Sequence, residues 1–173
     1  MNILITGAKG FVGKNFIETL KTIKDGRNKT RPNIKIDEIF EFDIDTDISL
    51  LDEYCQRADF VFNFAGVNRP QNDTEFNEGN ISFPEKLLKT LEKYDNKCPV
   101  MASSSVQASL EGRYKNSPYG LSKRQGEEVF FEYSKRTDAK VLVYRFTNIF
   151  GKWSKPNYNS AVATFCHNIA NDL

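Results

Sequence analysis

Asn2-Ile3-Leu4-Ile5-Thr6-Gly7-Ala8-Lys9-Gly10-Phe11-Val12-Gly13 is the stretch whose reading decides the fold. The apolar run that ends at Thr6 has the length and β-branched content of a buried strand. Phe16, Ile17, Leu20 and Ile23 then fall on one stripe, which predicts a helix from Phe11 to about Ile23. Gly7, Gly10 and Gly13 lie at the junction. Gly7 permits a tight turn, Gly10 removes a side chain that would block a phosphate, and Gly13 lets helix and strand pack closely. Free N–H groups at the helix start face the turn, so this unit is a candidate cradle for a pyrophosphate.

Working outward, short apolar runs alternate with amphipathic stretches. Ile39–Asp43, Asp59–Phe64, Pro99–Ser103 and Lys140–Phe146 read as strands. Helices are expected from Ser49, as cap, to about Arg57, from Thr74 to about Tyr94, from Ser117-Pro118 to about Arg136, and over Ser160–Asp172. Gly79 and Pro84 interrupt the second of these. Lys24–Asn33 and Glu111–Asn116 read as loops. Such alternation implies right-handed parallel βαβ units: an α/β, Rossmann-type doubly wound sheet in three layers. Ligands to such a sheet bind at the carboxyl ends of the strands, where Gly7, Asp43, Ala65, Ser103 and Asn148 all fall.

Bulk properties narrow the function. The 173 residues are enough for one domain with a core, and a net charge of +1 over mixed signs argues against nucleic acid or an anionic membrane as partner. No stretch is long enough to span a bilayer, and the opening apolar run has no basic region before it, so no signal peptide is expected. Three scattered cysteines (Cys55, Cys98, Cys166) without a C-x-x-C suggest a reduced, cytoplasmic protein. One histidine, His167, and no clustered thiols make a metal site unexpected.

A second motif supplies chemistry. Tyr119 and Lys123 are one helical turn apart and share a face. A phenol holds its proton to about pH 10, and a nearby ammonium favours the phenolate. Tyr119 is thus a candidate general acid toward a carbonyl oxygen, or base in the reverse direction. A serine hydroxyl could hold the same oxygen. Ser103, Ser104 and Ser105 compete for that place, and strand alternation sends Ser103 and Ser105 to one face and Ser104 to the other. Asp43, at the end of the second strand, suits adenosine ribose hydroxyls and so NAD over NADP.

These residues resemble the extended short-chain dehydrogenase/reductase family of nucleotide-sugar epimerases, dehydratases and reductases, over essentially the whole chain. Thr6 through Gly13 is similar to the opening fingerprint, which implies cofactor contacts from Gly7, Lys9, Gly10, Phe11, Val12 and Gly13. Asn63-Phe64-Ala65-Gly66 resembles the segment that lines the cofactor after the third strand. Asn80 falls where the family places an asparagine supporting a proton relay. The resemblance puts the hydroxyl role on Ser103 and has Lys123 bond the nicotinamide ribose. Arg145-Phe146-Thr147-Asn148-Ile149-Phe150-Gly151 resembles the stretch lining the nicotinamide and sugar sites, with Thr147 where a proline is usual.

Ala65 to Pro70 and Gly151 to Ser160 resemble one branch of the family: bifunctional reductases of capsular polysaccharide synthesis, with a C-terminal cupin epimerase half. That likeness implies reduction of a 4-keto UDP-sugar on the way to UDP-N-acetyl-fucosamine. It makes Asn68, Arg69, Asn148, Lys152 and Asn157 candidate substrate contacts. It also implies NADPH, against the reading of Asp43, so the cofactor is NAD or NADP. The chain reads as a dinucleotide-binding domain over 1–151 and the start of a truncated substrate lobe over 152–173. Helices Thr74–Tyr94 and Ser117–Arg136 are the expected faces of a homodimer. Ser104 and Ser105 stand where dehydratases carry an Asp-Glu pair, which argues against dehydration. Epimerisation, or a non-catalytic dinucleotide-binding module, stays open.

Overall fold

A computed structural model describes residues 1–72 and 74–173. Its chain order begins β1 (Asn2–Thr6), α1 (Phe11–Lys24), β2 (Glu38–Phe42), α2 (Leu50–Arg57) and β3 (Phe60–Asn63). There follow α3 (Thr74–Asn77), a π-helical segment (Glu78–Ser82), α4 (Phe83–Lys93) and β4 (Val100–Ser105). Two short 3₁₀ turns, then α5 (Pro118–Thr137), β5 (Val141–Phe146) and α6 (Ala161–Ala170) complete it. All neighbouring strands pair in parallel, in the order β2-β1-β3-β4-β5.

β1 is buried on both faces, which is why it reads as an unbroken apolar run. Ile3 and Ile5 pack with Ile17, Leu20 and Ile23 of α1. Leu4 faces the other way, into a larger core of Phe40, Leu51, Val61, Leu87, Leu91, Val100, Phe130 and Tyr133. From β1 the chain winds outward to β2, then returns past β1 to β3 and onward to β5. The strand order therefore reverses between β1 and β3, and a crevice opens at their carboxyl ends. There Thr6 donates its hydroxyl to Asn63 Oδ1 at 2.5 Å, which ties the two strand ends together.

Two expectations need correction. Ser49 does not cap α2 with its side chain; its own N–H is held by Asp47 Oδ1 at 2.9 Å, so Asp47 starts the turn. Ser117, by contrast, accepts from Gly120 N at 2.9 Å with Pro118 following, as the sequence implies. The Thr74–Tyr94 stretch is not one α-helix. Pro84 has no N–H to offer the carbonyl of Asn80, and the backbone widens into a π turn there. Gly126 of α5 accommodates the result: a Cβ on it would come within 2.5 Å of that Asn80 carbonyl oxygen.

Candidate active site

The glycine turn is held by its glycines and by β2. Gly7 has φ +70°, and a Cβ there would lie 2.6 Å from Ala65 N, so the turn presses on the end of β3. A Cβ on Gly13 would lie 2.2 Å from the Gly7 carbonyl oxygen. Ala8 N donates to Phe42 O at 3.2 Å. Asp43 accepts from Lys9 N at 2.6 Å on one oxygen and from Ile44 N at 2.8 Å on the other. Asp43 thus braces the turn through its backbone, a use its strand-end position did not suggest. Lys9 turns its ammonium to Asp45, which holds the Asp45 carboxyl below its usual range.

Two lobes of one cleft flank the start of α1. The first, about 510 Å³, is lined by Gly7, Gly10, Phe42, Asp43, Thr46, Ile48 and Ala65 among others, with Glu78 and no Lys or Arg. The second, about 330 Å³, is lined by Phe11, Val12, Ser103, Ser105, Tyr119 and Lys123, with Asn68, Arg69, Asn148 and Asn159 at its rim. Phe64 and Gly66 line both, so the lobes are continuous. Phe64 is fixed from behind by Phe16, at 5.3 Å between ring centroids. The glycine turn and the Tyr119/Lys123 pair, more than a hundred residues apart in the chain, line one cleft.

Tyr119 lies near the start of α5 with Phe76 6.1 Å away, and burial pushes its phenol above the ordinary value. Ser105 is the hydrogen-bonding side chain that draws it back down. Ser103 and Ser105 both line the lobe that holds the phenol. Both serines lie on the cleft side of β4, while Ser104 points through the sheet and donates to Glu127 at 2.6 Å. Ser103 contributes its carbonyl, which accepts from Lys123 Nζ at 3.2 Å.

Burial lowers the Lys123 ammonium to about 8, with the Glu127 charge opposing. Gly66 makes room for it: a Cβ there would sit 2.8 Å from both Lys123 Nζ and Asn80 Oδ1. Asn80 is buried on the π segment, clamps Val67 through its N–H and carbonyl at 3.0 and 2.8 Å, and donates to Ser122 at 3.0 Å. It stands behind the cleft floor rather than on it.

Of the expected substrate contacts, Asn68, Arg69 and Asn148 line the cleft, but Lys152 and Asn157 do not. Lys152 lays its ammonium 4.2 Å over the Trp153 ring, and Asn157 N donates to Thr164. The same segment instead brings in Asn159, and Tyr158, whose hydroxyl donates to Asn68 at 3.1 Å under the Arg69 guanidinium. Gln107, which also lines the cleft, was missed because it lies beyond the strand on a 3₁₀ turn. Among the described residues no His/Cys/Asp/Glu group could hold a metal ion, and no helix is long and apolar enough to cross a membrane.

A doubly wound parallel sheet with a glycine turn beside its switch point and a continuous two-lobed cleft defines a Rossmann-type domain built for a dinucleotide. The model of the NAD dependent epimerase/dehydratase family matches residues 3–173, and the chain belongs to that family. It is 39% identical over its whole length to the UDP-2-acetamido-2,6-beta-L-arabino-hexul-4-ose reductase of Pseudomonas aeruginosa. It spans 42% of that relative's length. Among solved structures, the capsular polysaccharide assembling protein CapF of Staphylococcus aureus is 40% identical with TM-score 0.78, covering 99% of this chain and 41% of that one. The dTDP-glucose 4,6-dehydratase DesIV of Streptomyces venezuelae, 21% identical, shares the fold at TM-score 0.81, over 99% of this chain and 63% of its own.

Proposed function

We propose that this chain carries the reductase site of an enzyme that reduces a 4-keto UDP-sugar with NADH or NADPH, in the synthesis of a surface polysaccharide precursor. The observation that carries the reading is Tyr119. Its phenol, raised by burial, holds a proton at neutral pH in the same lobe as Lys123 and Ser105. A reduction needs a proton donor there. The likeness to the P. aeruginosa reductase supports the keto-sugar substrate, and the cytoplasm is where such a nucleotide sugar is met.

The glycine turn fits a pyrophosphate, since side chains at Gly7 and Gly13 would collide with backbone. Gly7, Gly10 and the start of α1 would hold it. The acid-lined lobe at Phe42, Thr46 and Ile48 would take the adenosine, and the lobe at Phe64, Gly66 and Lys123 the nicotinamide end. When bound, the reduced nicotinamide supplies the hydride. Tyr119 and Ser105 hydrogen-bond the keto oxygen, and Tyr119 gives it a proton as the carbonyl carbon becomes a carbinol. Lys123, charged below about pH 8, steadies the phenolate left behind. Ser105 takes the hydroxyl role expected of Ser103. Arg69 and Asn68 meet the sugar diphosphate at the rim, and Asn148 the sugar. NADH and NADPH differ only by a phosphate at the ribose 2′ position, and the reduction reads the same with either.

The test uses the single tryptophan, Trp153, as reporter of nucleotide binding, with NADH and NADPH titrated separately. A UDP-linked 4-keto-6-deoxy-N-acetylhexosamine is then added. Loss of nicotinamide absorbance that depends on the sugar supports reduction. Binding of the reduced cofactor with no consumption by the keto sugar would show a non-catalytic module.

A further inference from the structure

Glu127 is the only charged side chain buried among the described residues, at 3% exposure. It lies on α5 one turn beyond Lys123, and its carboxylate is fully engaged. Oε1 accepts from Ser104 of β4 at 2.6 Å and from Arg145 Nε of β5 at 2.7 Å. Oε2 accepts from the Arg145 terminal nitrogen at 2.6 Å. This two-pronged pairing ties the helix that carries Tyr119 and Lys123 to two strands of the sheet.

Glu127 and Lys123 also line a single small cavity of about 10 Å³ with Asn63, Asn80 and Ser103. Every other group facing Lys123 there is neutral: Asn63 from β3, Asn80 from the π segment, and Ser103 from β4. Tyr119 precedes it on α5, and Arg145 reaches it only through Glu127. The hydrogen bonds from Arg145 and Ser104 overcome the burial that would otherwise raise the Glu127 carboxyl, so it stays charged. An unpaired carboxylate at this depth would take up a proton instead.

We infer that Glu127 is a positioning residue for the reduction: clamped by Arg145 and Ser104, it fixes a negative charge one helical turn from Lys123, in the cavity the two share, and so favours the ammonium that serves Tyr119. Arg145 serves it by holding the carboxylate ionised. The catalytic consequence rests on the reductase reading. The charge coupling itself does not, and it can be measured without substrate.

The experiment is an NMR pH titration of isotope-labelled lysine in the wild type and in Glu127→Gln, with Lys123→Arg assigning the signal. Lys123 should titrate near 8 in the wild type, and about one pH unit lower once its charged neighbour is gone. The alkaline limb of kcat should move down by the same amount, while KM for the reduced cofactor stays put in mildly acid buffer, where Lys123 is charged in both proteins. If Glu127→Gln does not fold because Arg145 is left unpaired, Glu127→Gln/Arg145→Met removes both charges. Glu127 is the nearer of the two, so the titration should still fall, by less. An unmoved Lys123 titration in a folded variant overturns the inference. So does a loss of thermal stability with an unchanged pH profile, which would make Glu127 a strut only. A shifted Lys123 with no reduction in either protein would leave the coupling standing and sink the reductase reading alone.

Discussion

Replacing Lys123 with Met should make the protein more stable at neutral pH while disabling its site. The side chain is half-buried, and desolvation lowers its ammonium from an ordinary 10.5 to about 8. At about 1.4 kcal/mol per pH unit, that fall corresponds to a cost of about 3 kcal/mol for keeping the group charged in the folded state. Water reaches one side of the chain through the cleft, so this figure is a ceiling. The sign follows from proton counting. Below pH 8 both folded and unfolded states carry the proton and the full cost is present. Between 8 and 10.5 the unfolded lysine holds a proton that the folded one has shed, so stability rises with pH. Above 10.5 both are neutral and the cost is gone. Methionine has nearly the same length and no charge. Urea unfolding of both proteins across this range should show Lys123→Met ahead by about 2 kcal/mol at pH 7, with the gap closing toward pH 10.5. A gap that does not change with pH would mean that Lys123 titrates as a surface lysine, and the picture of a desolvated cleft floor would fail.

Gly13→Ala drives a methyl to 2.2 Å from the Gly7 carbonyl oxygen. It should cost about 3 kcal/mol in urea unfolding and abolish nucleotide binding. Asp43→Ala frees the Lys9 and Ile44 amides. It should weaken NADH and NADPH alike by about tenfold, roughly 1.4 kcal/mol, in a Trp153 titration. A clean switch to NADPH would instead show that Asp43 reads the ribose. Ser105→Ala should lower kcat by about a hundredfold, while Ser103→Ala, which keeps the carbonyl that holds Lys123, leaves kcat near wild type.

Much of the fold is legible in the sequence because two periods carry it. Runs such as Ile3-Leu4-Ile5 mark strands buried on both faces, and the Ile17/Leu20/Ile23 stripe marks a helix laid on one of them. The glycine spacing is legible for the same reason, since Gly7 and Gly13 each answer a contact that a Cβ would break. Less legible are features set by the partner rather than by the segment. Alternation places Ser103 and Ser105 on one face of β4, but only the arrival of α5 brings that face to the lobe that holds the Tyr119 phenol. Asp43 has the position of a ribose ligand, yet the turn folds back over β2 and its amides claim the carboxylate first. Pro84 announces a disturbed helix without saying that it opens into a π turn against Gly126. Lys123 reads as a partner for Tyr119 one turn away, but that its ammonium also donates to the Ser103 carbonyl shows only in the fold. Glu127 and Arg145, ordinary charges in the sequence, become a two-pronged pair with a buried carboxylate only once β5 lies beside β4.

A single-turnover measurement with Tyr119→Phe tests the central claim most directly. Protein loaded with reduced cofactor is mixed with the keto UDP-sugar, and nicotinamide absorbance is followed in time. With the proton donor removed and the ring kept, oxidation of the cofactor should slow by about 10² to 10⁴-fold, while the affinity for NADH or NADPH stays at the wild-type value. Turnover at the wild-type rate without that hydroxyl would contradict the account.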